Sequence, residues 1–220
     1  MFFVNLTELK DSQKKKRKLM NKNSKNNDKY HRILDAAVNV FADQGFHNST
    51  IAQIAREAGV ADGTIYLYFK NKQDILFQFF TYKTRLVFDH FKEVVDKKDN
   101  AIEKLRCLIR VHFEEFQRDR KMAEVYRMET RQSHRIMENQ IKEMTKMYLD
   151  LIAAIVEQGQ EEGTMRQDLF MALVKRFLLG AVEEVINVWV ISGGKYDLVS
   201  QADPLVDLFL KGIGSQNISE

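Results

Sequence analysis

Residues 49–72 read STIAQIAREAGVADGTIYLYFKNK, and the fold class follows from this run. Ser49 or Thr50 can cap a helix, because its hydroxyl accepts a hydrogen bond from a free amide of the first turn. Ile51, Ile54, Ala55 and Ala58 then recur at helical spacing and form one apolar face. Gly59 stands where that helix must stop, since glycine enters the left-handed conformation without steric cost. Val60 and Ala61 are small, which lets a second helix cross the first closely. From Asp62 that helix turns Gly63, Thr64, Tyr66 and Tyr68 outward and Ile65 and Phe69 inward. Two short helices about a tight turn make a helix-turn-helix pattern, whose second helix is the one that enters a DNA major groove. An αα-hairpin with its aromatics in a core shares that coarse pattern.

The flanks extend it. Ile33, Leu34, Ala37, Val38 and Phe41 recur at three- and four-residue steps, so a helix is expected over about Lys29 to Gln44, ended by Gly45. Residues 28–70 should then form a three-helix unit with Ile33, Val38, Phe41, Ile54, Ile65 and Phe69 as its core. Asn71 can cap a fourth helix, with Asp74 in its first turn, running from about Lys72 to Val95 and linking this head to the rest. Asn100 followed by Glu103 opens a fifth over Ala101 to about Asp119. A short helix around Met122–Met128 and a long one from about Gln132 to Glu161 come next. Asp168 is placed to cap the eighth, which stops at Gly193-Gly194. Asp203 with Pro204 starts the ninth, which runs to about Lys211, because proline suits the first helical position. The expected division is a basic tail over 1–27, a DNA-binding head over 28–72 and a body over 73–220.

Composition agrees with an all-α chain. The 220 residues hold one proline and 45% apolar residues, ample for a packed core. A single cysteine, Cys107, excludes an internal disulfide framework and suits a reducing cytoplasm. No apolar run reaches the roughly 18 residues of a membrane span, so no membrane partner is expected. MFFVNL is too short for a signal-peptide core and is followed, not preceded, by its basic residues. Charge is unevenly spread. Residues 1–27 carry eight Lys/Arg against Glu8 and Asp11, a net of +6, which leaves −3 on the remainder of a chain whose total is +3. Such a segment is expected to be disordered. It can lie along DNA phosphates as a salt-sensitive arm. A solvated tail, or a chain that starts at Met20, has the same composition.

The spelling of the head is more telling than its pattern. Gly59, Val60, Gly63, Thr64, Tyr66, Tyr68, Phe69, Lys70 and Lys72 match the run that ends the DNA-binding domain of TetR-type repressors. The chain therefore resembles that family, and the nine helices read above match its architecture in order and length. Two body stretches, residues 128–152 and 183–213, look like the FadR-type fatty-acid-degradation branch. They carry Glu129, Arg131 and Gln132, then Trp189, then Lys195, Tyr196, Asp197 and Leu198. Thr130 stands where that branch has leucine. The resemblance implies a repressor of fatty-acid degradation genes, bound to a double-stranded palindromic operator and released by long-chain acyl-CoA, with no cofactor. It places Ala61, Asp62, Gly63, Thr64, Tyr66 and Tyr68 at the groove, and Thr50 and Lys72 at phosphates.

For the effector, Phe113, Tyr126, Phe177 and Trp189 are expected to line an apolar tunnel, with Arg127 and Arg131 at phosphates. Guanidinium groups suit phosphate because they donate two parallel hydrogen bonds. Stripes of this kind are also ordinary core. Leu178, Leu179, Ala181, Val182, Val185, Ile186 and Val188 nearly encircle the eighth helix, which therefore needs burial on all sides. A two-fold homodimer through the eighth and ninth helices follows, with Leu205, Leu208, Phe209 and Ile213 contributing. Within the family, a repressor of an efflux or other pathway answering to a different hydrophobic ligand is the alternative, and such a ligand needs no arginines. An acyl-CoA-binding enzyme is the remote one. His112 with Glu115 and His134 with Glu138 have the spacing of metal ligands but lack a third partner, so no metal is expected. Glu183 and Glu184 lie about 100° apart on a helix and do not converge on one substrate atom.

Overall fold

The computed structural model describes residues 27–131 and 136–213, and in that range it is helical throughout. Contacts divide the chain into two units, Met1–Leu76 and Phe77–Glu220. The basic tail lies outside the described residues.

The first unit holds α1 (residues 27–44), α2 (Ile51–Glu57) and α3 (Asp62–Ile65), and it takes in the first turn of α4 (Lys72–Val95). Thr50, not Ser49, caps α2. Its side chain accepts from the Gln53 amide at 3.2 Å, and the Gln53 side chain accepts from the Thr50 amide at 2.8 Å, a closed capping box. Ser49 instead turns inward and donates to the Phe46 carbonyl at 2.7 Å. Gly59 takes φ +63 between α2 and α3, a conformation that costs a side-chain-bearing residue about 1 kcal/mol or more. The core is Ile33, Val38, Phe41, Ile54, Ile65 and Phe69, all buried. Tyr30 stacks on Phe69 at 5.2 Å and closes the top of that core. Asn71 caps α4 by accepting from the Asp74 amide at 2.9 Å, as the sequence reading expects.

In the second unit, α5 (Ala101–Arg118) is the central element, packed against α6 (Arg120–Arg131), α7 (Glu138–Glu161), α8 (Met171–Ile191) and α9 (Ala202–Ile213). Asn100 caps α5 through the Glu103 amide at 2.9 Å. Glu129 is buried at 2% exposure and its carboxylate accepts from the Ile136 and Met137 amides, both at 3.1 Å. It thus caps the start of α7, which opens at Glu138 and not near Gln132 as the sequence suggests. Asp168 does not cap α8 either. The helix begins at Met171 after Phe170, and Asp168 is instead paired with Arg166 at 2.7 Å. A short 3-10 turn, Val199–Gln201, precedes α9. No described helix is long and apolar enough to cross a membrane.

Candidate functional sites: an exposed recognition edge and an apolar pocket

In the first unit, α3 has only four residues, and the outward surface continues through the turn at Tyr66–Tyr68. Ile65 and Phe69 anchor the segment below. Ala61, Asp62, Gly63 and Tyr66 are exposed, Tyr66 at 61%, while Thr64 and Tyr68 are half-buried. Thr50 is exposed, yet its hydroxyl is engaged with Gln53. A backbone edge free of bulky groups beside two tyrosines can enter a groove and read base edges.

Lys72 departs from expectation. Its ammonium donates to the carbonyls of Phe46, His47 (3.2 Å) and Ser49 (2.7 Å) and sits 4.4 Å from the Phe46 ring centroid. An ammonium has three hydrogens, and all three are committed to the chain between α1 and α2. Lys72 thus clamps the head, with its ammonium turned to these carbonyls. Burial pushes its pKa below the usual lysine value.

The second unit contains a partly open apolar pocket with a cavity volume of about 60 Å³. One wall comes from α4 (Phe79, Phe80, Val87, Phe88 and Phe91), and α5 supplies His112 and Phe116. Tyr126 from α6, Met144 and Tyr148 from α7 and Leu179 from α8 complete it. Lys83 reaches the edge, held by Asp119 at 3.3 Å, and Glu115 is paired with Arg118. Tyr126 also lines a smaller cleft with Arg127, Thr130, Arg131, Glu183 and Asn187. Its hydroxyl donates to Glu183 at 3.2 Å, on the wall that the two spaces share.

Burial sets the protonation states. Desolvation pushes the His112 pKa down to about 3, so the ring is neutral at physiological pH. The same cause, with the Glu183 charge added, raises the Tyr126 and Tyr148 hydroxyls, which stay protonated. In the cleft, Arg131 donates to Glu184 at 2.6 Å and holds that carboxylate below its usual range. The Arg127 Nε is buried with no partner among the described residues.

Of the residues expected at the ligand, the structure brings together Tyr126, Arg127 and Arg131. It separates the other three. Phe113 is fully buried but does not line the pocket, position 113 being turned about 100° from His112 and about 60° from Phe116 on the helix. Trp189 is 3% exposed and its indole donates to the Tyr196 carbonyl at 2.9 Å. Gly194, at φ +68, lets the chain pass so close that a Cβ there would lie 3.2 Å from the indole ring. Phe177 is 62% exposed on the outer face of α8 and stacks on Phe209. The sequence reading set the ligand between the fourth and fifth and the seventh and eighth helices but named no lining residue on α4. The repeated Phe79-Phe80 and Phe88-x-x-Phe91 were the available signal. Among the described residues no three His, Cys, Asp or Glu side chains are grouped to hold a metal ion.

A small helix-turn-helix unit joined to a separate helical unit with an apolar pocket is the make-up of a ligand-responsive DNA-binding regulator. The comparisons name the family. Residues 33–79 match the model for bacterial regulatory proteins of the tetR family, and residues 80–212 that for the C-terminal region of YsiA-like proteins. The chain belongs to the tetR family of transcriptional regulators, which are not enzymes. It is similar to the fatty acid metabolism regulator protein of Bacillus subtilis strain 168, with 39% identity over 185 residues, 84% of this chain and 95% of that one. It also resembles the solved fatty acid degradation regulator FadR from Bacillus halodurans (TM-score 0.79, 38% identity, 84% and 95% of the two chains). FadR from Bacillus subtilis, solved in complex with stearoyl-CoA, matches with TM-score 0.78 and 38% identity over 84% of this chain and 99% of that one.

Proposed function

We propose that this chain is a dimeric repressor of fatty-acid degradation genes that leaves a palindromic operator when a long-chain acyl-CoA binds. The carrying observation is the apolar pocket with an arginine cleft that meets it at Tyr126. An alkyl chain suits the apolar lining of the first space and a phosphorylated head group needs the arginines of the second. The stearoyl-CoA bound to the similar Bacillus subtilis protein supports the same ligand class. Arg127 meets phosphate most readily, because Arg131 must first exchange Glu184.

The test is a gel-shift titration with palmitoyl-CoA, free palmitate and CoA alone, on wild type and Arg127→Ala/Arg131→Ala. A coupling of about 1–3 kcal/mol weakens operator binding roughly 5- to 150-fold. Release by palmitoyl-CoA alone, blunted in the double variant, is expected. Equal release by palmitate removes the arginines from the site, and no release by any of the three refutes the effector.

The occupant proposed for the outer face of α8 is a second copy. Leu173, Phe177, Val188 and Ile191 recur at helical spacing and are each at least 48% exposed, with Leu208 of α9 adding to the apolar surface. Phe209, expected to join them, is buried within its own protomer. A monomer in sedimentation equilibrium of the same sample at micromolar concentration refutes the dimer. Two heads then meet operator half-sites about 34 Å, one DNA turn, apart. Because α4 lines the pocket and also carries Lys72 and Asp74 of the head, it is the element through which occupancy acts on that spacing.

Tyr66 is the residue proposed to read bases. Tyr66→Ala should cost about 1–3 kcal/mol at the operator and far less on random DNA. Operator affinity within error of wild type in a fluorescence-anisotropy titration would remove Tyr66 from the reading edge.

A further inference from the structure

The pocket is mostly apolar, and three of its polar atoms are left unbalanced. The Thr84 hydroxyl, the His112 Nδ1 and the Tyr148 hydroxyl are all buried, and none has a hydrogen-bond partner among the described residues. All three residues line this pocket. Two of them are neighbours. The rings of His112 and Tyr148 meet edge to face at 4.9 Å, with Phe91 5.5 Å from the first and 6.2 Å from the second. A cavity for a plain alkyl chain needs no polar atoms. Phenylalanine would fill the place of Tyr148 without stranding a hydroxyl, and an unpaired buried polar group is a standing cost. Tyr148 also lies close enough to Glu183, which lines the arginine cleft, for that charge to raise its pKa.

We infer that Tyr148 and His112 form an oxygen-recognition point inside the pocket, which selects an effector whose alkyl chain carries a carbonyl or hydroxyl oxygen over one that does not. Tyr148 donates to that oxygen. Neutral His112 offers Nδ1 as donor or acceptor according to its tautomer. The inference rests on the acyl-CoA reading above and adds what that reading lacks, a basis for telling a thioester or an oxygenated chain from a bare alkyl group. A site built to pair a ligand oxygen rejects the analogue lacking it more strongly than an apolar wall rejects a missing methylene.

The experiment measures binding of three ligands by isothermal titration. They are palmitoyl-CoA, 3-hydroxypalmitoyl-CoA and S-hexadecyl-CoA, the thioether that lacks the carbonyl. Wild type is expected to bind palmitoyl-CoA about 10-fold or more tighter than the thioether. In Tyr148→Phe that ratio should fall to about 1–3, with thioether affinity unchanged and the thermal midpoint of the unliganded protein equal to or above wild type. His112→Phe should narrow the ratio as well. A further gain with 3-hydroxypalmitoyl-CoA, lost in Tyr148→Phe, assigns the point to a chain oxygen. Equal gain for both oxygenated ligands assigns it to the thioester carbonyl. Equal wild-type affinity for palmitoyl-CoA and thioether overturns the inference while leaving the acyl-CoA reading intact, and so does a ratio unmoved by both substitutions. A lowered midpoint in Tyr148→Phe with the ratio unchanged makes the hydroxyl structural. Binding of none of the three overturns the acyl-CoA reading itself and this inference with it.

Discussion

Lys72→Ala should destabilise the DNA-binding head by about 2–3 kcal/mol and abolish binding to operator and random DNA together. Its ammonium makes charge-assisted bonds to the carbonyls of Phe46, His47 and Ser49. Each such bond contributes about 1.5–3 kcal/mol, less where water can replace it. The lost carbonyl partners belong to the chain that sets Thr50 at the start of α2, so the recognition edge loses its support along with its clamp. A unit of this size has little stability to spare. Hydrogen exchange of the amides in residues 46–76 measures the loss. Unchanged protection, with the salt dependence of DNA affinity flattened by about one unit, would return Lys72 to a phosphate.

Leu179→Trp should leave the protein bound to its operator whatever the concentration of palmitoyl-CoA. Leu179 lines the pocket from α8, opposite the phenylalanines of α4. An indole there fills space that the acyl chain needs, and overpacking a cavity wall costs only about 1–3 kcal/mol of stability. Acyl-CoA affinity is expected to fall about 100-fold or more, with operator affinity in its absence within twofold of wild type. Retained release at wild-type concentrations, measured in the same gel-shift assay, would place the effector outside this pocket.

The sequence carried most of the head. Its signals there are local: a capping threonine, a glycine between helices, and inward Ile65 and Phe69 one turn apart. Each acts within a few residues, so periodicity finds it. The capping partner Gln53 escaped notice, although it stands at the usual third position after Thr50. The clamp at Lys72 was not legible because its three acceptors lie 23–26 residues away, and basic charge near a recognition helix suggests phosphate. In the body, α5 is apolar on more than one face. Periodicity therefore could not tell the core phenylalanine, Phe113, from the pocket face of His112 and Phe116. Trp189 on α8 is buried and Tyr126 on α6 half-buried, and only the folded chain separates the one that holds a loop from the one that lines a cavity. Arg127 and Arg131 were legible as a pair because they are one helical turn apart on α6.

The position of Trp189 has a spectroscopic consequence. It is the chain's only tryptophan, shielded from water, with its indole N–H fixed to the Tyr196 carbonyl at the end of α8 and outside the pocket lining. Its emission is therefore a natural optical gauge of one place, the junction between α8 and the segment leading to α9. An intensity change on adding an effector that occupies the pocket reports that this junction has moved, because Trp189 lies outside the pocket lining. The chain thus carries a built-in reporter of transmitted motion in the half of the molecule proposed to meet its twin.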